Sequence, residues 1–331
     1  MTTAADERIP VTVITGFLGS GKTTLINRIL SERHGRRIAV IENEFGEIGI
    51  DDALINHPDE EIFEMNNGCI CCTVQGDLIR LLGALIRRAD QFDQIVIETT
   101  GLADPAPIAQ TFFVDGEIRD RLRLDAIVTM VDAAHILDHL DDVKAEDAEN
   151  EAAEQIAFAD RMIVNKIDLI DGERRATVTD RLRAINAFTE IVHTQDARVE
   201  LSRILDVGAF DLQRVLTDHP SFLEPGSHRH DQNVSSVGLQ IEGDVDVDQL
   251  NLWLGDLLGY RGTDIFRSKG ILALKDLSRQ YVFQGVHMLF DGAEGREWGT
   301  DETRINRMVF IGRNLDRAEL ESGFRACLAA Q

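Results

Sequence analysis

The chain has 331 residues, 44% of them hydrophobic, and this length and composition predict a folded protein of two domains. Its 58 acidic residues outnumber its 34 basic residues and give a net charge of -24, which argues against binding to nucleic acid or an anionic membrane surface. No apolar run approaches the roughly 18 residues of a membrane-spanning helix, and the N-terminus lacks a signal-peptide pattern, so a cytoplasmic location is expected.

Short β-branched runs alternate with helical patterns over the first two-thirds of the chain. Such alternation is typical of βαβ units around a mostly parallel sheet with helices on both faces, and it predicts an α/β fold. The clearest helix between the strands is 78–88. The predicted strands are, in chain order, 11–15, 37–42, 61–65, 94–98, 125–132 and 161–165.

The pattern changes after about Leu216, where a stretch rich in Pro, Gly and polar residues predicts a linker. We therefore predict a P-loop GTPase domain at 1–216, a linker at 217–233 and a small C-terminal α+β domain at 234–331, with helices on one face of a mostly antiparallel sheet. Its predicted elements are strands at 234–243, 264–274, 279–290 and 306–312, and helices at 245–260 and 315–328.

The segment GFLGSGKT matches the phosphate-binding pattern GxxxxGK[ST] and lies between a predicted strand and a predicted helix. Gly16, Gly19 and Gly21 let the backbone wrap around a phosphate, and the first amides of the helix point at the anion. Lys22 brings positive charge to the β and γ phosphates, and Thr23 places its hydroxyl on Mg²⁺. A glycine-rich turn without a ligand is the alternative, which the strand-to-helix context disfavours.

Two further motifs follow in the order expected for a nucleotide hydrolase. Glu98 ends the strand 94–98 and is followed by Thr-Thr-Gly101, which predicts a carboxylate for the magnesium shell and a glycine near the γ-phosphate. A carboxylate that merely caps the following turn is the alternative. Asn165-Lys166-Ile-Asp168 ends the strand 161–165 and matches the guanine-reading pattern NKxD, because an aspartate accepts from both the ring N–H and the amine of guanine.

These motifs predict GTP and Mg²⁺ as ligands. The predicted catalytic residues are Lys22, Thr23 and Glu98, with Thr23 and Glu98 also as the magnesium ligands. The predicted nucleotide-binding residues are Gly16, Gly19, Ser20, Gly21, Lys22, Thr23, Thr24, Gly101, Asn165, Lys166 and Asp168.

Three of the four cysteines fall in the tetrapeptide Cys69-Ile-Cys71-Cys72, between the strand 61–65 and a helix beginning near Gln75. Thiolates at a helix N-terminus have lowered pKa values and bind soft cations such as Zn²⁺. Because adjacent cysteines do not easily ligate one ion together, a tetrahedral site would take two of the three thiolates and other ligands. A redox motif and inert buried thiols are the alternatives.

The fourth cysteine and a group of carboxylates complete this part of the prediction. Cys327 lies among apolar residues of the closing helix and is interpreted as core packing. Glu42, at the end of the strand 37–42, is the better candidate for an additional zinc ligand, and Glu47 is the weaker one. Since parallel strands end on one side of a sheet, Glu42 and the cysteine loop are predicted to converge near the γ-phosphate. A solvated carboxylate loop is the alternative.

The segments GFLGSGKTT, IENEFGEIGID, NNGCICC, ETTGLADP and NKID, in this order, resemble the CobW-like metallochaperone family of P-loop GTPases, in the SIMIBI class. FQGVHMLF, NRMVFIG and the final helix resemble the C-terminal domain of that family. The resemblance implies slow GTP hydrolysis, binding of zinc, or of cobalt or nickel, at the CxCC motif, and transfer of the metal to a client metalloprotein that is not itself implied. A homodimer that depends on nucleotide or metal is a further expectation.

Histidines mark a departure from the family pattern. Many relatives carry a long histidine-rich stretch, whereas here only His228 and His230 occupy the predicted linker, so bulk metal storage is not expected. His287 matches a family position within the predicted strand 279–290. A lone histidine in an apolar strand is more often structural. Contact with metal or with the other domain is the alternative.

Two other function classes remain open on the sequence alone. One is a non-catalytic, nucleotide-dependent scaffold or insertion factor that delivers cobalt or another cofactor, with the cysteines as a docking element. The other is a small-molecule P-loop kinase, which the NKID motif disfavours.

Overall fold

The computed structural model describes residues 6–32, 34–42, 60–64, 73–101, 103–142, 150–210 and 234–329, with the backbone alone at 60–64 and 73–75. The chain divides into two compact units. The first contains Met1–Gln155, Ala159–Val178 and Glu190–Phe210, and the second contains Ile156–Phe158, Thr179–Thr189 and Asp211–Gln331. Residues 211–233 lie outside the described part, so the predicted linker and its boundaries stay a prediction.

The first unit is built on a seven-stranded sheet in the order β3-β2-β4-β1-β5-β6-β7, in which every neighbouring pair is parallel. The central strands are buried along nearly their whole length, as expected for β-branched runs with helices on both faces. The strands are β1 Ile9–Gly16, β2 Ile38–Glu42, β3 Glu60–Glu64, β4 Gln94–Glu98, β5 Leu122–Asp132, β6 Arg161–Asn165 and β7 Glu190–His193.

Helices connect these strands, and the helix after β1 begins directly at the end of the phosphate-binding segment. One face of the sheet packs against apolar residues of this helix and against the segment Ala197–Ala209. The helices of this part of the chain are α1 Lys22–Ser31, α2 Thr73–Ile86, α3 Ala106–Val114, α4 Gly116–Arg121, α5 Ile136–Leu140, α6 Glu151–Phe158 and α7 Gly172–Ile185.

The second unit contains a five-stranded antiparallel sheet in the order β11-β10-β9-β12-β8. Two helices pack on its apolar core, and each begins at an aspartate, Asp246 or Asp316, whose carboxylate accepts from backbone amides of the first turn. The elements are β8 Val234–Glu242, α8 Val247–Arg261, β9 Ile265–Leu272, β10 Arg279–Val286, β11 Leu289–Glu297, β12 Ile305–Arg313 and α9 Arg317–Arg325.

These two sheets confirm the predicted fold class, an α/β unit with a parallel sheet followed by a small α+β unit. All six predicted strands of the first unit are present, and β7 is an additional strand that the sequence did not predict. No helix in the described ranges is long and apolar enough to cross a membrane.

The prediction of a single strand at 279–290 was wrong. The chain turns back at His287 and Met288, so that Val286 pairs with Leu289 and the segment forms the hairpin of β10 and β11. His287 has a φ of 50°, in the left-handed region that no strand residue adopts. The apolar run VHMLF therefore contains the turn of the hairpin, and its residue Met288 is exposed there.

Candidate nucleotide site

The predicted site residues lie where five parallel strands end. Gly16, Glu42, Glu98, Asp132 and Asn165 are the last residues of β1, β2, β4, β5 and β6. Because parallel strands share a direction, their carboxyl ends form one edge of the sheet, which is where open α/β sheets bind ligands. β1 lies between β4 and β5, so the phosphate-binding segment leaves the sheet at its centre.

Two glycines shape the phosphate-binding segment. Gly16 has a φ of 137°, and a Cβ there would lie 2.2 Å from the carbonyl oxygen of Met130. Gly21 has a φ of 106°, and its Cβ would lie 2.5 Å from Nδ2 of Asn165. Only glycine fits both positions, because a side chain would be strained by the backbone angle and blocked by its neighbour.

Lys22 is buried at the first position of α1 and its Nζ donates to the carbonyl oxygens of Gly16 at 2.8 Å and Phe17 at 3.3 Å. Burial lowers the pKa of Lys22, and the nearby carboxylate of Glu98 acts in the opposite direction. The ammonium is therefore held against the loop by backbone carbonyls in a partly desolvated position, where its interaction with a phosphate is stronger than in bulk water.

Thr23 and Glu98 lie together on the other side of the loop, with Thr23 Oγ1 3.5 Å from Oε1 of Glu98. A hydroxyl and a carboxylate are hard oxygen donors of the kind that Mg²⁺ prefers, so this pair fits a magnesium ion. Both line a cavity of about 430 Å³. Its walls are formed by Leu18, Gly19, Gly21, Lys22, Thr23, Thr24, Glu98, Thr99, Thr100 and Gly101.

The remaining residues of the phosphate loop do not line this cavity. Ser20 is fully buried, and its carbonyl oxygen accepts a hydrogen bond of 3.0 Å from Nδ2 of Asn165. Asn165 in turn accepts at Oδ1 from the backbone amide of Ala197, also at 3.0 Å. Asn165 therefore links the end of β6 to the phosphate loop. Its side chain is engaged in fixing that loop, and its predicted contact with the nucleotide stays a prediction.

Lys166 and Asp168, the other two predicted nucleotide-binding residues of the NKID motif, are more exposed to solvent. Lys166 has a φ of 62° and directs the chain into a short 3-10 helix, Ile167–Leu169, where Asp168 is exposed and able to meet a ligand. Nζ of Lys166 donates to Oδ2 of Asp132 at 2.7 Å. The structure thus brings the phosphate loop and NKID to one edge of the sheet, and the individual roles assigned to these residues stay predictions.

Two residues of this edge were not predicted from the sequence. Asp132, paired in register with Asn165, receives hydrogen bonds from Lys166, from Nδ1 of His135 and from the amide of Ala134. Burial alone would raise the pKa of Asp132, but these hydrogen bonds outweigh it and hold the pKa below its usual value. Its position at the end of a predicted strand could have indicated Asp132 as a site residue. The second residue is Ala197, whose backbone amide holds Asn165, and nothing in the sequence indicates this contact.

The predicted metal ligands are only partly within the described residues. Glu42 ends β2, next to β4, and is half-buried. Glu47 and the cysteines Cys69, Cys71 and Cys72 lie outside the described part of the chain. Within that part, no group of three or more His, Cys, Asp or Glu side chains is arranged to hold a metal ion.

Other predicted residues are placed as follows. Cys327 is buried in the core of the second unit, as predicted, and burial raises the pKa of its thiol. His287 lies in the second unit and contacts the rings of Phe158 and Phe266, with ring centroids 5.6 Å and 5.7 Å away. This setting agrees with a structural role. His228 and His230 lie outside the described residues.

Two family models match the chain. The model of the CobW/HypB/UreG nucleotide-binding domain matches residues 10–193, and that of the cobalamin synthesis protein cobW C-terminal domain matches residues 234–328. The chain belongs to the CobW/HypB/UreG family. The predicted family resemblance is confirmed, and the chain is a GTPase of this family.

Individual relatives match over nearly the whole length. The chain is 36% identical to the zinc chaperone YjiA of Escherichia coli over 321 residues, covering 96% of this chain and 98% of that protein. It is 34% identical to the zinc-regulated GTPase metalloprotein activator 1 of Schizosaccharomyces pombe, covering 94% and 84%. The crystal structure of Zn(II)-bound YjiA GTPase from E. coli superimposes with a TM-score of 0.77 at 32% identity, covering 98% and 100%.

Asp168→Asn tests the guanine-reading role. We expect GTP affinity to fall about 10- to 100-fold, because a charged hydrogen-bond acceptor worth about 1.5–3 kcal/mol is lost. Affinity for xanthosine triphosphate should rise, since its 2-oxo group accepts from an asparagine amide. Competition titrations with both nucleotides measure this change.

Asp171→Asn is the matched control, because it removes the same charge three residues later while its side-chain oxygen still caps α7 through the amide of Arg174. It should leave both affinities unchanged. An Asp168→Asn protein that keeps the parental preference for GTP would place the base elsewhere.

Proposed function

We propose that the chain is a GTP-hydrolysing zinc chaperone that holds the metal at the cysteine motif Cys69-Ile-Cys71-Cys72 and transfers it to a client metalloprotein under nucleotide control. The names of its relatives, a zinc chaperone and a zinc-regulated GTPase metalloprotein activator, support this function. Cobalt and nickel are alternative cargoes of the same thiolate chemistry. The proposal also includes action in the cytoplasm and a homodimer that depends on nucleotide or metal.

The observation that carries the proposal is the adjacency of Glu42 and Glu98. β2 and β4 are neighbouring parallel strands with Ile41 opposite Ile97, and each glutamate is the next residue of its strand. Neighbouring strands lie about 4.8 Å apart and registered side chains share a face. The proposed zinc ligand therefore starts one strand away from the carboxylate that would hold magnesium beside the γ-phosphate.

Described residues flank the cysteine segment on both sides. β3 runs parallel to β2 with Glu64 opposite Glu42, and the chain continues from Glu64 towards Cys69. Cys72 directly precedes Thr73, the first residue of α2. This connectivity supports convergence of the thiolates and Glu42, because the cysteine segment follows β3, the strand that pairs with β2.

In this mechanism Lys22 and the loop amides bind the phosphates. Thr23 and Glu98 would hold Mg²⁺, which when bound would supply charge neutralisation on the phosphates. Loops tied to the γ-phosphate become ordered in the GTP state and loosen after hydrolysis. Because the proposed zinc ligands are Glu42 and the cysteines, which the proposal places beside these loops, zinc affinity should differ between the two nucleotide states.

The test measures Zn²⁺ affinity, by competition with a chelator, in the complex with the non-hydrolysable analogue GMPPNP and in the GDP complex. We expect the two affinities to differ by a factor of about 5 or more, and zinc should change the ratio of GMPPNP to GDP affinity by the same factor. Equal zinc affinities in both complexes would contradict nucleotide control and leave a nucleotide-dependent scaffold as the better account.

Cys71→Ser tests the cysteine motif in the same experiment. Zinc affinity should fall about tenfold or more through loss of a thiolate ligand, while nucleotide affinity without metal stays unchanged. Cys327→Ser is the matched control, because that thiol is buried in the core of the second unit. If Cys71→Ser binds zinc like the parent protein, the metal site lies elsewhere.

A further inference from the structure

Gln155 is a buried residue of α6 whose side-chain amide reaches the loop after β4. It is 2% exposed, and its Nε2 donates to the carbonyl oxygens of Gly101 at 3.2 Å and Ala103 at 3.1 Å. We propose that Gln155 is a positioning residue for GTP hydrolysis: it fixes the turn that contains Gly101, and this fixed turn allows the site to distinguish GTP from GDP.

The donor of these hydrogen bonds is itself held in place. The backbone carbonyl of Gln155 accepts from Oγ1 of Thr129 at 2.9 Å, and Thr129 is a buried residue of the long central strand β5. The amide therefore projects from a point tied to the sheet. Because both acceptors belong to one turn, with the Ala103 amide also donating to the Thr100 carbonyl, a single side chain holds the turn on two sides.

The opposite side of Gly101 is closed by the phosphate loop. A Cβ at Gly101 would lie 2.6 Å from Cγ of Leu18 and 2.7 Å from the Leu18 backbone nitrogen. Gly101 thus lies between Leu18 and the amide of Gln155. Gly101 lines the cavity, whereas Gln155 does not, so Gln155 acts on the ligand through the turn.

This arrangement predicts an effect that depends on the γ-phosphate. Glu98, Thr99, Thr100 and Gly101 belong to the motif that faces the γ-phosphate in P-loop hydrolases, and GDP lacks that group. A ligand shifts a conformational equilibrium only through contacts that differ between states. Loosening the turn should therefore weaken the binding of GTP and its analogue but not that of GDP, because the loop that holds the other phosphates is unchanged.

The variant Gln155→Met tests the proposal, since methionine has nearly the same volume and no donor. We expect the Kd of GMPPNP to rise about tenfold, the Kd of GDP to stay within about twofold, and kcat at saturating GTP to fall. Titration calorimetry with the two nucleotides and phosphate release measure these values on the full chain.

Asn186→Leu is the matched control. Asn186 is 1% exposed and its Nδ2 donates to the carbonyl oxygens of Ile156 and Ala157, the two residues that follow Gln155 in α6. The substitution removes these two hydrogen bonds and a third that Oδ1 accepts from the amide of Phe188, so it should lower thermal stability at least as much and leave the ratio of GMPPNP to GDP affinity unchanged.

Should Gln155→Met fail to fold, Gln155→Asn replaces it, because the shorter side chain keeps the amide but withdraws it from both carbonyls; the same selective loss is expected. The proposal is overturned if the variant lowers the affinities for GDP and GMPPNP equally or leaves both affinities unchanged. It is also overturned if Asn186→Leu reproduces the selective loss.

Discussion

Lys22→Ala is expected to lower the affinity for both GTP and GDP by about 100-fold or more, because truncating one partner of a buried charge interaction costs about 2–5 kcal/mol. Among the described residues that line the cavity, Lys22 is the only basic one and Glu98 the only acidic one. Its loss leaves a site of negative charge for a polyanionic ligand. Titration calorimetry with GDP and with GMPPNP measures the loss.

The fold should survive this substitution. Lys22 is 8% exposed, and this burial partly desolvates the ammonium and lowers its pKa, so removing the ammonium relieves that cost. Arg28→Ala is the control, because Arg28 is a cation on the same helix that pairs with Glu32 at the surface, where such pairs contribute about 0–1 kcal/mol. A Lys22→Ala protein that binds GDP like Arg28→Ala would contradict the assigned phosphate site.

The strands of the first unit could be predicted because the pattern that marks them lies within a few consecutive residues. β4 and β6 are short apolar runs between polar segments, and the parallel sheet buries them on both faces. β7, Glu190–His193, escaped prediction because only its two central residues are apolar. The edge strand β11 contains exposed polar residues and glycines, so its sequence resembles a loop and its strand character comes from pairing with β10.

The site divides in the same way. The phosphate loop could be predicted because binding a phosphate demands glycines at fixed spacing, a lysine and a helix N-terminus in sequence order. Gln155 bonds to Gly101 and Ala103, and Asp132 bonds to Lys166, all distant in the chain, and no spacing pattern marks residues that act through such hydrogen bonds. The adjacency of Glu42 and Glu98 also required the structure, because the order of β2 beside β4 is set by the crossover connections.

A buried carboxylate near the start of β5 connects three parts of the first unit. Asp125 is fully buried and accepts from the backbone amides of Val207 at 3.1 Å and Gly208 at 2.6 Å, and from Nη1 of Arg123 at 3.1 Å. Its oxygen Oδ2 also lies 3.3 Å from the hydroxyl of Thr12 on the neighbouring strand β1. This one side chain thus joins the central strands to the segment that packs on their face.

Asp125→Ala is expected to lower the free energy of unfolding of the first unit by about 3–5 kcal/mol, because it leaves Nη1 of the largely buried Arg123 and two backbone amides without their acceptor. Asp206→Asn is the matched control, since Asp206 pairs with the same Arg123 but is 35% exposed, and its loss should cost about 1 kcal/mol or less. Urea denaturation followed by circular dichroism measures both. Equal losses for the two variants would show that burial of Asp125, and with it the shared acceptor for Val207 and Gly208, does not determine the stability of the sheet.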